Sequence, residues 1–142
     1  MIIELCGLPG VGKSTISSKL KKKGFRIIKV IGRRELLKLN LIFLLKHPIK
    51  FIKLLFFIVF NATSLHVFYL LFMNCFLKVN AKYMKAQKKE SIAIIDQGYW
   101  QNILSVFSRR IDNSLFKKYI SCFLESDLTI MITCNEKKRK KD

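Results

Sequence analysis

The chain has 142 residues, and 27 Lys+Arg against 9 Asp+Glu give it a formal net charge of +18. That length suits one domain, residues 1–142, and a hydrophobic content of 51% excludes a disordered polycation. Six glycines and two prolines exclude collagen-like and linker-like chains. Cys6, Cys75, Cys122 and Cys134 form no CxxC pair and follow no secretory leader. They are expected to be reduced, mostly buried thiols of a cytoplasmic protein.

So basic a chain raises nucleic acid or an anionic membrane as a partner. The lysines are spread along the chain, however, with clusters at Lys21–Lys23, Lys88–Lys89 and the tail at 135–142. These suit solvated helix ends and a tail. No aromatic residue interleaves with the terminal basic run, which argues against stacking on single-stranded bases and against nucleic acid as partner.

In chain order, Met1–Cys6 is a short apolar run ending in glycine and reads as a buried strand. Lys13–Lys23 follows as a helix, with Ile16 and Leu20 on one face and Gly24 as its stop. Phe25–Ile31 is expected to be the second strand, Ser91–Asp96 the third and Leu128–Thr133 the fourth. Trp100, Ile103, Leu104 and Phe107 recur at helical spacing after the third strand. Asp112 or Asn113 is a candidate cap for a helix burying Leu115, Phe116, Tyr119, Ile120 and Phe123. Strands alternating with helices imply an α/β fold around a parallel sheet of about four strands.

Residues 36–89 break that rhythm and form an apolar, helical insert between strands two and three. No acidic residue occurs between Glu35 and Glu90. Pro48 divides the insert into a helix before His47 and another after Ile49. Leu54–Leu77 is long enough for one bilayer crossing, yet it contains Asn61, Thr63, Ser64, His66 and Asn74. One crossing would also separate the N-terminal glycine-rich loop from Asp96. A packed insert is therefore expected, with peripheral membrane contact through 49–77 as the alternative. His47 and His66 have no carboxylate near them in sequence, so a buried or chain-kinking role is expected.

Gly7-Leu8-Pro9-Gly10-Val11-Gly12-Lys13-Ser14-Thr15 matches GxxxxGK[ST] in full, directly after a strand and opening a helix. Glycines allow the backbone to curl closely around an anion, and exposed N–H groups at a helix start make a concave anion site. Gly7, Gly10, Val11, Gly12, Lys13, Ser14 and Thr15 are thus the candidate ATP-binding residues. Lys13 would neutralise the outer phosphates, and Ser14 would offer its hydroxyl to Mg2+. Asp96, at the end of the third strand, is the candidate metal organiser or base, with helix capping as the plainer alternative. Gln97, Gly98, Tyr99, Trp100 and Gln101 are candidates to line an acceptor site. Arg33 and Arg34 follow strand two, at the sheet end where ligands bind in such folds.

The GLPGVGKST loop, the Ile94-Ile95-Asp96 strand end and the alternating architecture resemble P-loop small-molecule kinases of the thymidylate and nucleoside kinase-like group. The likeness covers roughly residues 1–35 and 90–135. It implies a P-loop NTPase-type fold that transfers the γ-phosphoryl group of ATP, with Mg2+, to a nucleoside- or nucleotide-like acceptor. It also implies catalytic roles for Lys13 and Asp96, and metal binding by Ser14 and Asp96. Many relatives carry Arg after that Asp, where Gln97 stands here. They also continue into an arginine-bearing lid and a fifth strand, so a shortened member is expected, in which Arg109, Arg110 or Arg139 would have to substitute. Alternatives are a truncated, non-catalytic nucleotide-binding protein and a membrane- or partner-docked ATPase, and a homo-oligomer is a further expectation from the exposed sheet edge.

Overall fold

A computed structural model describes residues 1–88, 91–106, 113–122 and 124–133. Phe107, Arg109, Arg110, Asp112, Phe123, Cys134 and the basic tail lie outside the described residues, as do the side chains of Ile103, Leu104 and Leu115.

Strands β1 (Ile2–Gly7), β2 (Arg26–Ile28), β3 (Ala93–Asp96) and β4 (Leu128–Ile132) form one sheet in the order β2-β3-β1-β4. Every pairing is parallel. β1 is central, with Leu5 opposite Asp96 on one side and Cys6 opposite Met131 on the other. Its mostly buried Ile-Ile-Glu-Leu-Cys run suits a strand covered on both faces. Helices α1 (Lys13–Lys22), α2 (Arg33–Lys46), α3 (Pro48–Asn61), α4 (Leu65–Leu70), α5 (Lys78–Ala86), α6 (Tyr99–Val106) and α7 (Asn113–Ser121) flank it. The α/β class, the parallel sheet and the helical insert after strand two follow the sequence pattern.

The strands are shorter than the apolar runs suggest. Ile31 N–H donates to Glu35 Oε2 at 2.9 Å, and Lys85 Nζ donates to the Lys29 carbonyl at 2.6 Å. These bonds lie beyond the β2 ladder, which pairs only Arg26–Ile28 with β3. β3 likewise begins at Ala93, and Ile92 is 41% exposed.

The insert has more helices than Pro48 alone implies. Pro48 starts α3 at a position where its missing N–H costs no helical bond. The Leu54–Leu77 stretch is not continuous helix: α3 ends at Asn61, and extended residues lead to Ser64. Ser64 Oγ then accepts the Val67 N–H at 3.2 Å and caps α4. A π-helical segment, Leu71–Leu77, carries the chain from α4 into α5. Among the described residues no helix is long and apolar enough to cross a membrane.

The insert and the sheet share one core. Leu39, Phe43, Leu54, Phe57, Ile58 and Phe76 belong to the same buried cluster as Ile28, Ala93 and Ile95. His47 packs against Phe43, with ring centroids 5.7 Å apart, and burial holds its pKa below the usual histidine value, aided by Lys50 and Lys46. His66, for which a buried or chain-kinking role is expected, is not buried but exposed on α4. Only residues on the inner face of that short helix meet the core, so an apolar neighbourhood in sequence does not bury it.

Candidate functional site

The chain leaves β1 towards β2 at one edge, and leaves β3 towards β4 at the other. β1 and β3 are neighbours whose connections run to opposite edges of the sheet, and open α/β sheets bind ligands at the C-terminal ends of such strands. The loop after β1 and Asp96 at the end of β3 both stand there.

Close packing constrains one end of that loop and backbone conformation the other. Gly7 has φ 152°, and a Cβ on it would collide with the Ile132 carbonyl oxygen of β4. Gly12 caps α1 in the left-handed region, at φ 86° and ψ 18°, where a side chain costs about 1–2 kcal/mol. The turn lets Gly12 O accept the Ile16 N–H at 3.0 Å and start the helix at Lys13. Gly10 and Val11 form the loop itself, and Ser14 and Thr15 are exposed in the first turn of α1.

Lys13 curls back over this loop. Its Nζ donates to the carbonyls of Gly7 at 2.6 Å and Leu8 at 2.7 Å. An ammonium carries three donors, so one remains beyond these two bonds. The buried Lys13 is thereby held against the loop rather than spread into solvent.

A cleft of about 530 Å³ opens between α1, the segment after β2, α5 and the end of β3. Ser14, Lys21, Lys29, Lys82, Asp96 and Gln97 are among its lining residues. Asp96 Oδ1 is buried and has no hydrogen-bond partner. Lys82, on α5, donates from Nζ to the Asp96 carbonyl at 2.6 Å and the Gln97 carbonyl at 3.0 Å. Burial lowers the Lys82 pKa, against the opposing pull of Asp96 and Glu4. Gln97 sits at φ 59°, a left-handed conformation that non-glycine residues adopt at a cost. The two lysine bonds therefore clamp a strained turn next to Asp96.

No protein-family model, curated protein or solved structure matches the chain. The site's organisation accordingly rests on its own geometry. Its second layer is built around Glu4, in the middle of β1. The Glu4 side chain is fully buried, and its Oε1 accepts the N–H groups of Trp100 at 2.8 Å and Gln101 at 3.1 Å. Its Oε2 accepts the Tyr83 hydroxyl at 2.6 Å. Burial raises the Glu4 pKa, and these hydrogen bonds partly oppose the rise. The carboxylate thus caps the first turn of α6 from a neighbouring element. Gln101, in that turn, accepts the Gly7 N–H on its Oε1 at 2.9 Å. Glu4, α6 and Gly7 are one connected assembly.

Several sequence-based placements change. Tyr99 is fully buried and donates its hydroxyl to Asn80 Oδ1. Trp100 packs edge-on to Phe116, with ring centroids 6.4 Å apart. Gln101 serves the glycine-rich loop, and Gly98 packs against Glu4. Of the residues 97–101, Gln97 alone lines the cleft described above, and Arg33 and Arg34 do not line it. Glu4 and Lys82 escaped the motif reading. A carboxylate inside an apolar strand is a signal in itself, because acidic residues are rarely buried without partners. Lys82 carries no comparable signal on a helix rich in lysine.

Proposed function

We propose that the chain is a P-loop nucleotide-binding protein that uses Mg-ATP to phosphorylate a small, nucleoside- or nucleotide-like acceptor. The observation that carries this reading is the pairing of a complete GxxxxGK[ST] loop with Asp96 on adjacent strand ends. Both lie at the C-terminal ends of adjacent parallel strands, the end at which such sheets take ligands, which supports the reading. Free, buried Cys6, Cys75 and Cys122 suit a cytoplasmic setting.

The donor set fits the nucleotide and its metal. Ser14 presents an exposed hydroxyl and Asp96 an unpartnered carboxylate oxygen in the same cleft. Both are oxygen donors, the type Mg2+ takes alongside phosphate and water. Among the described residues no group of three His, Cys, Asp or Glu stands together to hold a metal. Bound Mg-ATP would supply the transferable phosphoryl group and a concentrated positive charge.

The chain's own residues divide the remaining work. Backbone N–H groups of Gly10–Ser14 and the start of α1 orient the phosphates. Lys13 adds a fixed cation whose position the Gly7 and Leu8 carbonyls maintain. Where the metal is held by Ser14 and phosphate alone, Asp96 Oδ1 would instead accept the acceptor's hydroxyl hydrogen and aim that oxygen. Lys82 keeps the Asp96 main chain in place.

Titration calorimetry with Mg-ATP tests the first half: wild-type protein binds, and Lys13→Ala loses most of the affinity. Absence of binding by folded wild-type protein removes the nucleotide reading. Asp96→Asn tests the second half, because transfer collapses while ATP still binds. A wild-type chain that binds ATP and transfers nothing across an acceptor panel is the non-catalytic alternative.

A further inference from the structure

Helix α3 turns an unusual surface outward. Ile49, Ile52, Phe56, Val59 and Phe60 are all exposed on it, with Ile49 at 68%, Phe56 at 55% and Phe60 at 79%. At helical spacing they form one stripe about 100° wide. Phe56 and Phe60 stack at 5.9 Å, so they protrude as a pair. Beside them a groove of about 660 Å³ separates α3 from α7. Ile52, Phe56, Phe57 and Phe60 line it, together with the exposed Lys53 and Lys118.

Contiguous exposed apolar surface edged by charge marks a place of interaction. Charge decides the partner. Lys53 borders the stripe, and Lys118 faces it from α7. No acidic residue lies between Glu35 and Glu90 to repel an anion. Two copies of this face brought together would set lysine against lysine, which is unfavourable. An anionic bilayer answers both features at once: acyl chains for the phenylalanines, and headgroup phosphates for the lysines.

We propose that α3 docks the protein on an anionic lipid surface, its axis in the plane of the interface. Its 14 residues span about 21 Å, too short for a hydrocarbon core of about 30 Å. An amphipathic helix of this kind lies on a membrane rather than across it. The inference stands apart from nucleotide binding, since none of its residues borders the loop or the Asp96 cleft.

Vesicle flotation of the full chain tests it, using phosphatidylcholine alone and phosphatidylcholine mixed with phosphatidylserine. Wild-type protein floats with the anionic vesicles at low salt and is released by high salt. The Phe56→Ser/Phe60→Ser variant loses on the order of tenfold or more in partitioning. Lys53→Gln and Lys118→Gln each lose about fivefold. All four side chains are exposed, and circular dichroism checks that the variants remain folded. Absence of flotation by the wild type overturns the proposal. So does flotation that ignores the phenylalanines and tracks salt alone, because general basicity would then suffice. Light scattering that shows a dimer dissolved by the phenylalanine changes, without lipid binding, would assign the face to a second copy instead.

Discussion

The Glu4 carboxylate occupies the space that a side chain on Gly98 would need. A Cβ built on Gly98 comes within 2.5 Å of Glu4 Oε2 and 2.8 Å of Oε1. Glu4 cannot swing aside cheaply, because Tyr83, Trp100 and Gln101 all donate to it. Gly98 is therefore the point where the β3–α6 turn passes over the central strand.

Gly98→Ala is expected to destabilise the fold by about 1–3 kcal/mol, the usual cost of overpacking a filled site. Urea denaturation reads this directly. Because α6 also holds Gly7 through Gln101, Mg-ATP affinity falls in the same variant. Unchanged stability would mean that Glu4 repacks freely and is not the anchor of this turn.

Glu4 also gives stability a specific pH dependence. Burial raises its folded pKa above 4.5, so the native state holds this proton more tightly than the unfolded chain does. Stability from this group is complete below 4.5, falls as pH rises towards the folded pKa, and stays reduced above it. Glu4→Gln removes the ionisation while keeping an oxygen for the α6 N–H groups and an N–H for Tyr83. Its stability relative to wild type is expected to climb between a pH below 4.5 and neutrality. Denaturation series of both proteins across that range check it, and a constant difference refutes it.

The sequence exposes those parts of the molecule that short-range chemistry governs. An apolar run, a glycine turn and a helical stripe place β1, the phosphate loop and α1, and Pro48 marks the start of α3. The assembly behind the loop is different in kind. Glu4 meets Tyr83 and Gln101 across 79 and 97 residues, contacts that exist only once β3 lies beside β1. The Ser64 break was written locally in polar residues, but the surrounding Leu and Phe obscured it. Beyond the short β2, the Lys29 carbonyl accepts from Lys85 and the Ile31 N–H donates to Glu35, pairings that the pattern of Ile27, Ile28, Val30 and Ile31 does not encode.

Lys82 offers the sharpest separation between binding and positioning. Its ammonium bridges the carbonyls of Asp96 and Gln97, and Gln97 is held at φ 59°. Lys82→Met keeps the buried stem but removes both bonds. Each lost bond to a charged donor is worth about 1.5–3 kcal/mol, offset in part because a desolvated ammonium no longer has to be accommodated. The consequence is therefore expected in local order more than in global stability. Backbone amides of Asp96–Gly98 exchange faster, while those of Gly7–Thr15 keep wild-type protection. Mg-ATP binding persists, and phosphoryl transfer drops with the misplacement of Asp96. Hydrogen exchange read by mass spectrometry separates the segments. Protection at Asp96–Gly98 equal to wild type would show that the strained turn holds itself, and that Lys82 serves the cleft only as a charge.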